Sequence, residues 1–112
     1  DTVFVNWLKT SRVNSRDALL VFSVGGGDPV KNVSRNLVQA LDYAKVQGAK
    51  IYGIVGRNGG HTAAVSDHCI IIPPRFSDRI TPHTEGLAAV VWHLLVSHPD
   101  LKYMQTLWES KA

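Results

Sequence analysis

Residues 18–27, with the sequence ALLVFSVGGG, decide the fold of this chain. The first seven of them are apolar except for Ser23, and three glycines follow. An apolar run of this length that ends in glycines is typical of a strand buried on both faces of a parallel sheet. The stretch therefore predicts a strand over residues 19–24 and a tight turn over residues 25–27.

A helix is predicted after this turn, because apolar residues recur there at helical spacing up to Gly48. Asp28, followed by a proline, is typical of a helix start, with aspartate as the cap and proline in the first helical position. A start at Asn32 or Ser34 is the alternative, and it leaves residues 24–31 as a long loop. The earlier start is preferred. The apolar stripe consists of Val30, Val33, Leu37, Ala40, Leu41 and Ala44.

The rest of the chain continues the alternation of strands and helices. Apolar runs bounded by glycine, proline or aspartate predict strands over residues 50–55 and 68–72, with one helical turn over residues 62–65 between them. Thr81 is the predicted cap of a long helix that ends near Ser97 and is apolar on nearly all sides. Two short terminal helices are predicted, one with Val3, Phe4, Trp7 and Leu8 on one face and one with Leu101, Met104, Leu107 and Trp108 on one side.

Strands that alternate with helices predict an α/β fold in three layers, in which helices flank a parallel sheet and the crossovers are right-handed. Strand 19–24 is predicted to be central, because natural proteins avoid exposing so apolar an edge. Its missing neighbour has to come from residues that precede Asp1 or from a partner chain. The chain is therefore predicted to be the C-terminal part of a larger domain or one half of an obligate dimer.

Composition excludes several classes of protein. The 112 residues suffice for one domain, and 45% hydrophobic with 19% charged residues exclude a disordered chain. The net charge of +3 comes from scattered basic residues, so no nucleic-acid partner is predicted. One cysteine, Cys69, excludes an intrachain disulfide framework and agrees with a reducing, cytoplasmic setting. No apolar run approaches the ~20 residues that cross a bilayer, so no membrane partner is predicted.

The order of these elements, together with three motifs, resembles the sugar isomerase (SIS) domain family. The motifs are GAKIYGIVGRNGG at residues 48–60, SDHCIIIPP at 66–74 and DRITPHTEG at 78–86, and among the family the phosphoheptose isomerases are the most similar. The resemblance implies a five-stranded parallel sheet in a flavodoxin-like order. It also implies that residues 1–112 form a single SIS-type domain without its N-terminal helices and first strands, which would carry a further glycine- and serine-rich loop of the sugar-phosphate site.

The glycine turn is the predicted phosphate site, since ligands of open parallel sheets bind beyond the carboxyl ends of the strands. A phosphate needs backbone N–H groups free of side chains, hydroxyl donors and a helix N-terminus. Asp28 would repel a phosphate unless Lys31 offsets its charge. The alternative is that the glycines only make a tight turn with Asp28 as a cap. The predicted contacts are the N–H groups of Gly25, Gly26 and Gly27 and the hydroxyls of Ser23 and Ser34.

Isomerisation of a sugar phosphate moves a proton between two carbons, so the site needs a base and a second group that shuttles protons between oxygens. In the family a glutamine and a histidine of the last long helix contribute, and their positions fall here on Thr81 and Ala89. Glu85 and His83 are the predicted substitutes as proton carriers, with Thr81 near the sugar. The alternative is that the helix dipole merely stabilises Glu85 in the first turn and that His83 is a solvated loop residue.

The predicted function is therefore that of a phosphosugar isomerase, which binds a sugar phosphate such as sedoheptulose 7-phosphate and interconverts its ketose and aldose forms. The alternative is a non-catalytic phosphosugar-binding or protein-adaptor module. His61 is a further candidate for contact with the sugar. No cofactor is predicted, because no histidine and cysteine spacing forms a zinc motif, although some phosphoheptose isomerases hold zinc. The apolar helix around Trp92 predicts a homodimer or homotetramer.

Overall fold

The protein is described by a computed structural model that covers residues 1–105 and 107. The three strands form one parallel sheet in the order β1-β2-β3. Strand β2 matches its predicted bounds, and the other two strands lie within one residue of theirs. The elements in chain order are α1 (Val3–Thr10), β1 (Ala18–Ser23), α2 (Arg35–Val46), β2 (Lys50–Val55), α3 (Gly60–Val65), β3 (His68–Ile71) and α4 (Ile80–Ser97).

The helices lie on both faces of the sheet. Helices α1 and α2 pack on one face, where Leu41 is fully buried in a cluster with Val21 and Ile51. Helix α3 lies on the same face, because Thr62 packs directly over Gly53, which projects to the same side as Ile51. Helix α4 covers the other face. The predicted three-layer α/β arrangement with a parallel sheet is therefore confirmed.

The second face has a smaller core. Ile54 of β2 packs there with Ile72 and Ala88, and the ring of Phe22 meets the ring of Trp92 edge-on at a centroid distance of 5.6 Å. Helix α4 approaches the end of β2 closely, because a Cβ atom at Gly56 would lie 2.3 Å from Oγ1 of Thr84. The start of α4 is thereby held next to the carboxyl ends of β1 and β2.

Strand β1 lies at one end of the sheet in the described residues. It pairs with β2 alone in the described residues and is therefore an edge strand there. Leu20 and Phe22 are 52% and 45% exposed, because α4 packs mainly against β2 and leaves this part of the second face open. Burial of β1 on both faces is thus wrong for the described residues, and its neighbour from preceding residues or a partner chain stays a prediction.

The preferred start of α2 at Asp28 is wrong, and the alternative start at Ser34 is confirmed. The Asp28 carboxylate accepts hydrogen bonds from the N–H groups of Val30 and Lys31, and Asp28 pairs with Val33 in an isolated antiparallel bridge. An aspartate side chain that accepts hydrogen bonds from the N–H groups two or three residues later competes in this way with helix formation. Residues 28–33 therefore form a small loop before the helix.

Three details at the helices also differ. Helix α1 buries Val5 and Leu8, whereas Val3, Phe4 and Trp7 of the predicted face are at least 49% exposed. Helix α4 has Arg79 as its N-cap residue rather than Thr81. The predicted last helix is absent from residues 98–105, and Trp108 lies outside the described residues. In the part of the chain that the structure describes, no helix has the length and apolarity to span a bilayer.

Asp67 joins the turn before β3 to the start of β2. Its carboxylate accepts the N–H of Ile51 at 2.8 Å and the ammonium of Lys50 at 3.0 Å. The backbone hydrogen bond from Ile51, and then the one from Lys50, lowers the pKa of Asp67 below its ordinary value of 3.8. A carboxylate with a lowered pKa stabilises the fold above the unfolded-state pKa and loses that contribution as the pH falls through the folded-state pKa.

We therefore expect Asp67→Asn to lower the free energy of unfolding at pH 7 and to flatten its decrease below about pH 4. Urea unfolding at pH 7, 4 and 3 measures both effects. Asp100→Asn is the control, because its side chain is 88% exposed and its replacement should leave the stability at pH 7 unchanged. An equal acid dependence in Asp67→Asn and the unaltered protein would contradict the assignment.

Candidate functional site

A cavity of about 850 Å³ lies where β1 and β2 end. This is the edge at which open parallel sheets bind their ligands. It is formed by the loop after β1, the turn between β2 and α3, and the segment that leads into α4. Its lining residues are Gly25, Gly27, Asp28, Pro29, Lys31, Val33, Arg57, Asn58, Gly60, His61, Ala64, Pro74 and Ile80.

The floor of the cavity consists of two turns packed backbone to backbone. Gly26 has a φ of +71° and lies so close to the second turn that a Cβ atom there would be 2.0 Å from the carbonyl oxygen of Gly59. The carbonyl oxygen of Gly26 accepts both the N–H and the hydroxyl of Thr62, each at 2.8 Å. The carbonyl of Gly27 accepts the N–H of His61 at 2.8 Å. The glycines are therefore needed for the contact between the turns.

The same turn leaves two backbone donors at the cavity. The N–H of Gly26 donates to the hydroxyl oxygen of Ser23 at 3.0 Å. In residues 1–105, the N–H groups of Gly25 and Gly27 donate to no other group of the protein. Both glycines line the cavity. Two of the three predicted glycine contacts thus lie where an anion would find unpaired N–H groups.

Positive charge predominates at the cavity. Lys31 and Arg57 line it, and neither forms an ion pair with a carboxylate in the described part of the chain. The carboxylate of Asp28 also lines it but accepts the two N–H groups of its own loop. The lining is therefore suited to an anionic ligand.

His61 is held at the wall of the cavity by Asp42. Its Nε2 lies 2.7 Å from a carboxylate oxygen of Asp42, and the imidazole is only 17% exposed. The contact joins α3 to α2 and fixes the orientation of the ring. The structure thus brings His61 together with Gly25 and Gly27, as the sequence predicts, and its contact with sugar stays a prediction.

The other predicted site residues lie apart from the cavity lining. Ser34 is the N-cap residue of α2, and the hydroxyl of Ser23 is bonded to Gly26. Thr81 and Glu85 are exposed at the start of α4, whereas His83 is partly buried with its ring edge-on to Phe76 at 5.7 Å. The roles of these side chains in binding and catalysis stay predictions.

Burial differs between neighbouring residues at the start of α4. Ala88 is buried at 6% exposure and Thr84 at 4%, so the inward side of α4 passes through these two residues. Thr81 and Glu85 are both exposed and do not share the burial of Ala88. Of the first turn of α4, Ile80 is the residue that reaches the cavity lining.

Arg57 and Asn58 are cavity residues that were not predicted. Both belong to the turn GRNGG, which follows β2. The amide oxygen of Asn58 accepts the N–H of Gly60, which leaves its NH₂ group as a donor. The available signal was an arginine inside a glycine-rich turn at the carboxyl end of a strand.

A zinc ion finds no ligand set in the described residues. In residues 1–105 and 107, no three histidine, cysteine, aspartate or glutamate side chains come together as a metal site. Cys69 lies on β3 and is partly buried against Gly53, and desolvation by burial raises the pKa of its thiol. The described residues therefore do not fit a zinc site by themselves.

Comparison with known proteins yields several relatives and no matching family model. A phosphoheptose isomerase of Nitratidesulfovibrio vulgaris is 34% identical over 84 residues, which are 75% of this chain and 36% of the relative. A phosphoheptose isomerase of Histophilus somni is 37% identical over 81 residues, 71% of this chain and 36% of the relative. The lincomycin biosynthesis protein LmbN of Streptomyces lincolnensis is 37% identical over 81 residues, 71% of this chain and 30% of the relative.

The chain thus spans about a third of the length of the curated relatives that it matches. The names of the two phosphoheptose isomerases agree with the family that the three sequence motifs resemble. The resemblance is therefore confirmed, and the chain is a relative of the phosphoheptose isomerases.

Proposed function

We propose that this chain forms the sugar-phosphate-binding part of a phosphosugar isomerase of the phosphoheptose isomerase type. The substrate is a sugar phosphate such as sedoheptulose 7-phosphate, and the reaction interconverts its ketose and aldose forms. One observation carries the proposal: Gly25 and Gly27, whose N–H groups have no partner in residues 1–105, line a cavity together with Lys31 and Arg57, which form no ion pair in the described residues.

The donors of this cavity match the chemistry of a phosphate monoester. Such a group carries up to two negative charges and only accepts hydrogen bonds in its dianionic form, so it needs donors without competing acceptors. The Asp28 carboxylate is the one acidic side chain of the lining, and it already accepts two N–H groups. The names of the relatives favour a sugar as the remainder of the ligand.

The start of α4 supplies the candidate proton carriers. Ile80 lines the cavity, and His83 follows it by one helical turn. In the proposed reaction one group removes the proton from the carbon next to the carbonyl, and a second group moves protons between the two oxygens of the enediol. His83 is proposed for one of these tasks and Glu85 for the other. Sugar bound at the glycine turn would extend toward this helix.

The test is the conversion of sedoheptulose 7-phosphate by the complete polypeptide. NMR measures the amount of aldose product that forms. His83→Ala and Glu85→Gln are each expected to lower kcat at least 100-fold, because a positioned acid or base contributes about 10²–10⁴-fold. Both variants should still bind the phosphate ester, since neither side chain lines the cavity. Unchanged kcat in both variants would contradict these assignments.

A non-catalytic module that binds phosphosugars or another protein is the second candidate. Two observations favour it. Thr81 and Ala89 occupy the positions of the family's glutamine and histidine, and Glu85 is exposed outside the cavity. Binding of sedoheptulose 7-phosphate by the complete polypeptide without any turnover would establish this candidate in place of the isomerase.

We also propose that the complete protein is a homodimer or homotetramer that associates through α4. Leu87, Val90 and Leu94 are 48%, 54% and 65% exposed on this helix, and Trp92 is 42% exposed. An apolar surface of this kind favours a protein interface. No nucleic acid or membrane partner is proposed.

We therefore expect the protein to elute as a dimer or tetramer at micromolar concentration, and Leu94→Glu to shift it toward the monomer. A charge in an apolar interface has to be desolvated without a partner, which disfavours association. Val46→Glu is the matched control, because Val46 is 81% exposed on α2 outside this surface. Light scattering coupled to size exclusion measures the mass, and a monomeric unaltered protein would contradict the proposal.

A further inference from the structure

We propose that Arg57 is the residue that recognises the phosphate group in the cavity, with Lys31 as a second charged contact. The inference rests on the proposed function and adds the group that selects a phosphate over other anions. Neither residue is a predicted phosphate contact of the family motif. Three features of Arg57 support this role: its backbone conformation, the position of its side chain and the absence of a carboxylate partner in the described residues.

The backbone at Arg57 is strained. Its φ is +51°, a region that residues with a side chain rarely adopt. Among the described residues, four that are not glycine have a positive φ, and three of them, Asn32, Ser34 and Arg57, lie in the two loops around the cavity. Such strain persists when the surrounding structure imposes it, and it concentrates at ligand sites. Glycine would fit position 57 with less strain, so replacement of Arg57 by glycine removes the side chain without adding backbone strain.

The side chain of Arg57 lies over the glycine turn. Its Cδ and Nε atoms are 3.6 and 3.9 Å from the position that a Cβ atom of Gly25 would occupy. The guanidinium group is therefore close to a residue whose N–H has no partner in residues 1–105. Lys31 lines the same cavity from the loop after β1. Cations and N–H donors thus come together from two separate loops.

The charge of Arg57 has no carboxylate partner in the described part of the chain. A guanidinium group donates two parallel hydrogen bonds to two oxygens of a phosphate, a geometry that an ammonium group does not reproduce. A second cation and backbone donors favour a dianion over a carboxylate, which carries one charge. The chemical class of ligand is therefore a phosphate monoester, and inorganic phosphate is its simplest probe.

The experiment compares Arg57→Gly with Arg12→Gly in the complete polypeptide. Arg12 is a matched control, because it is exposed, has a φ of +54° and does not line the cavity. Glycine relieves the backbone strain at both positions and removes the same side chain. Calorimetric titration with inorganic phosphate and with sedoheptulose 7-phosphate measures the affinity, and the thermal midpoint measures the stability of each variant.

We expect Arg57→Gly to weaken the binding of both ligands at least tenfold without lowering the thermal midpoint. Arg12→Gly should bind both ligands like the unaltered protein. Arg57→Lys should fall between the unaltered protein and Arg57→Gly, because it keeps the charge and loses the paired hydrogen bonds.

Two results separate the inference from the proposed function. If the unaltered protein binds phosphate and Arg57→Gly binds it within twofold as tightly, the role of Arg57 is wrong and the proposed function stands. If the unaltered protein binds neither inorganic phosphate nor sedoheptulose 7-phosphate, the proposed function and the inference are both wrong.

Discussion

Replacement of Gly26 by alanine is expected to remove about 4 kcal/mol from the free energy of unfolding, a large part of the 5–15 kcal/mol that stabilises a typical domain. The φ of +71° is unfavourable for any residue with a Cβ atom, and that atom would lie 2.0 Å from the carbonyl oxygen of Gly59. Backbone atoms cannot move away as a flexible side chain does. The two turns would separate, and the hydrogen bonds from Thr62 to the Gly26 carbonyl would be lost.

Two other glycines provide controls for this substitution. A Cβ atom at Gly25 would meet only the Arg57 side chain at an ordinary distance of 3.6 Å, so Gly25→Ala should cost less than about 1 kcal/mol. A Cβ atom at Gly86 would meet nothing within 4 Å, and Gly86→Ala should stabilise α4 by about 0.5–1 kcal/mol. Urea unfolding followed by circular dichroism measures all three variants. Equal losses in Gly26→Ala and Gly25→Ala would contradict the tight packing of the turns.

Gly56→Ala is the second substitution with a large expected effect, a loss of about 3 kcal/mol. Its Cβ atom would lie 2.3 Å from Oγ1 of Thr84 and 2.8 Å from the carbonyl oxygen of Val24. Thr84 is buried on the inward side of α4, so the substitution pushes the start of this helix away from the sheet. The cavity should open with it, because Ile80 lines the cavity from the same helical turn.

A double-mutant cycle tests this explanation. Thr84→Ala removes the hydroxyl and the methyl group that the new Cβ atom would meet, so it should restore part of the stability of Gly56→Ala. The clash with the Val24 carbonyl remains, and complete recovery is not expected. The free energies of unfolding of the two single variants, the double variant and the unaltered protein give the coupling. Additive losses would show that α4 and Gly56 do not meet as described.

The sheet was predictable from the sequence because each strand is a short apolar run that ends at glycine, proline or aspartate. Strand β2 has its predicted bounds, from Lys50 to Val55. The start of α2 was not predictable in the same way. Asp28 and the proline after it fit a helix cap, but the aspartate bonds instead to the backbone of its own loop. Two local interactions of similar strength compete at this position, and the tertiary contacts decide between them.

The sequence predicts only in part how the apolar surfaces of β1 and α4 are buried. The sequence shows that β1 and α4 are too apolar for solvent, but it does not show what packs against them. Leu20 on β1 and Leu94 on α4 are more than half exposed in the described residues. An apolar pattern indicates that a surface is buried. It does not indicate which residues, or which chain, cover that surface.

The cavity lies at the edge of the sheet where the sequence predicts the site, and three of the predicted residues line it. Gly25, Gly27 and His61 line the cavity, since the carboxyl ends of parallel strands meet at one edge. Arg57 was missed, because the unusual feature at that position is a backbone angle and not a residue type. Glu85 is exposed outside the cavity lining, and its role in catalysis stays a prediction.

The glycine turn is attached by hydrogen bonds to α3 and not to the segment that follows it in the chain. Gly26 and Gly27 are held by backbone bonds from Thr62 and His61, so the floor of the cavity does not depend on the segment 28–33 that follows. That segment closes on itself through the bridge between its two ends. A change in the length or sequence of this segment would therefore leave the backbone floor of the cavity in place, whereas it would replace Lys31 and present a different wall to a bound ligand.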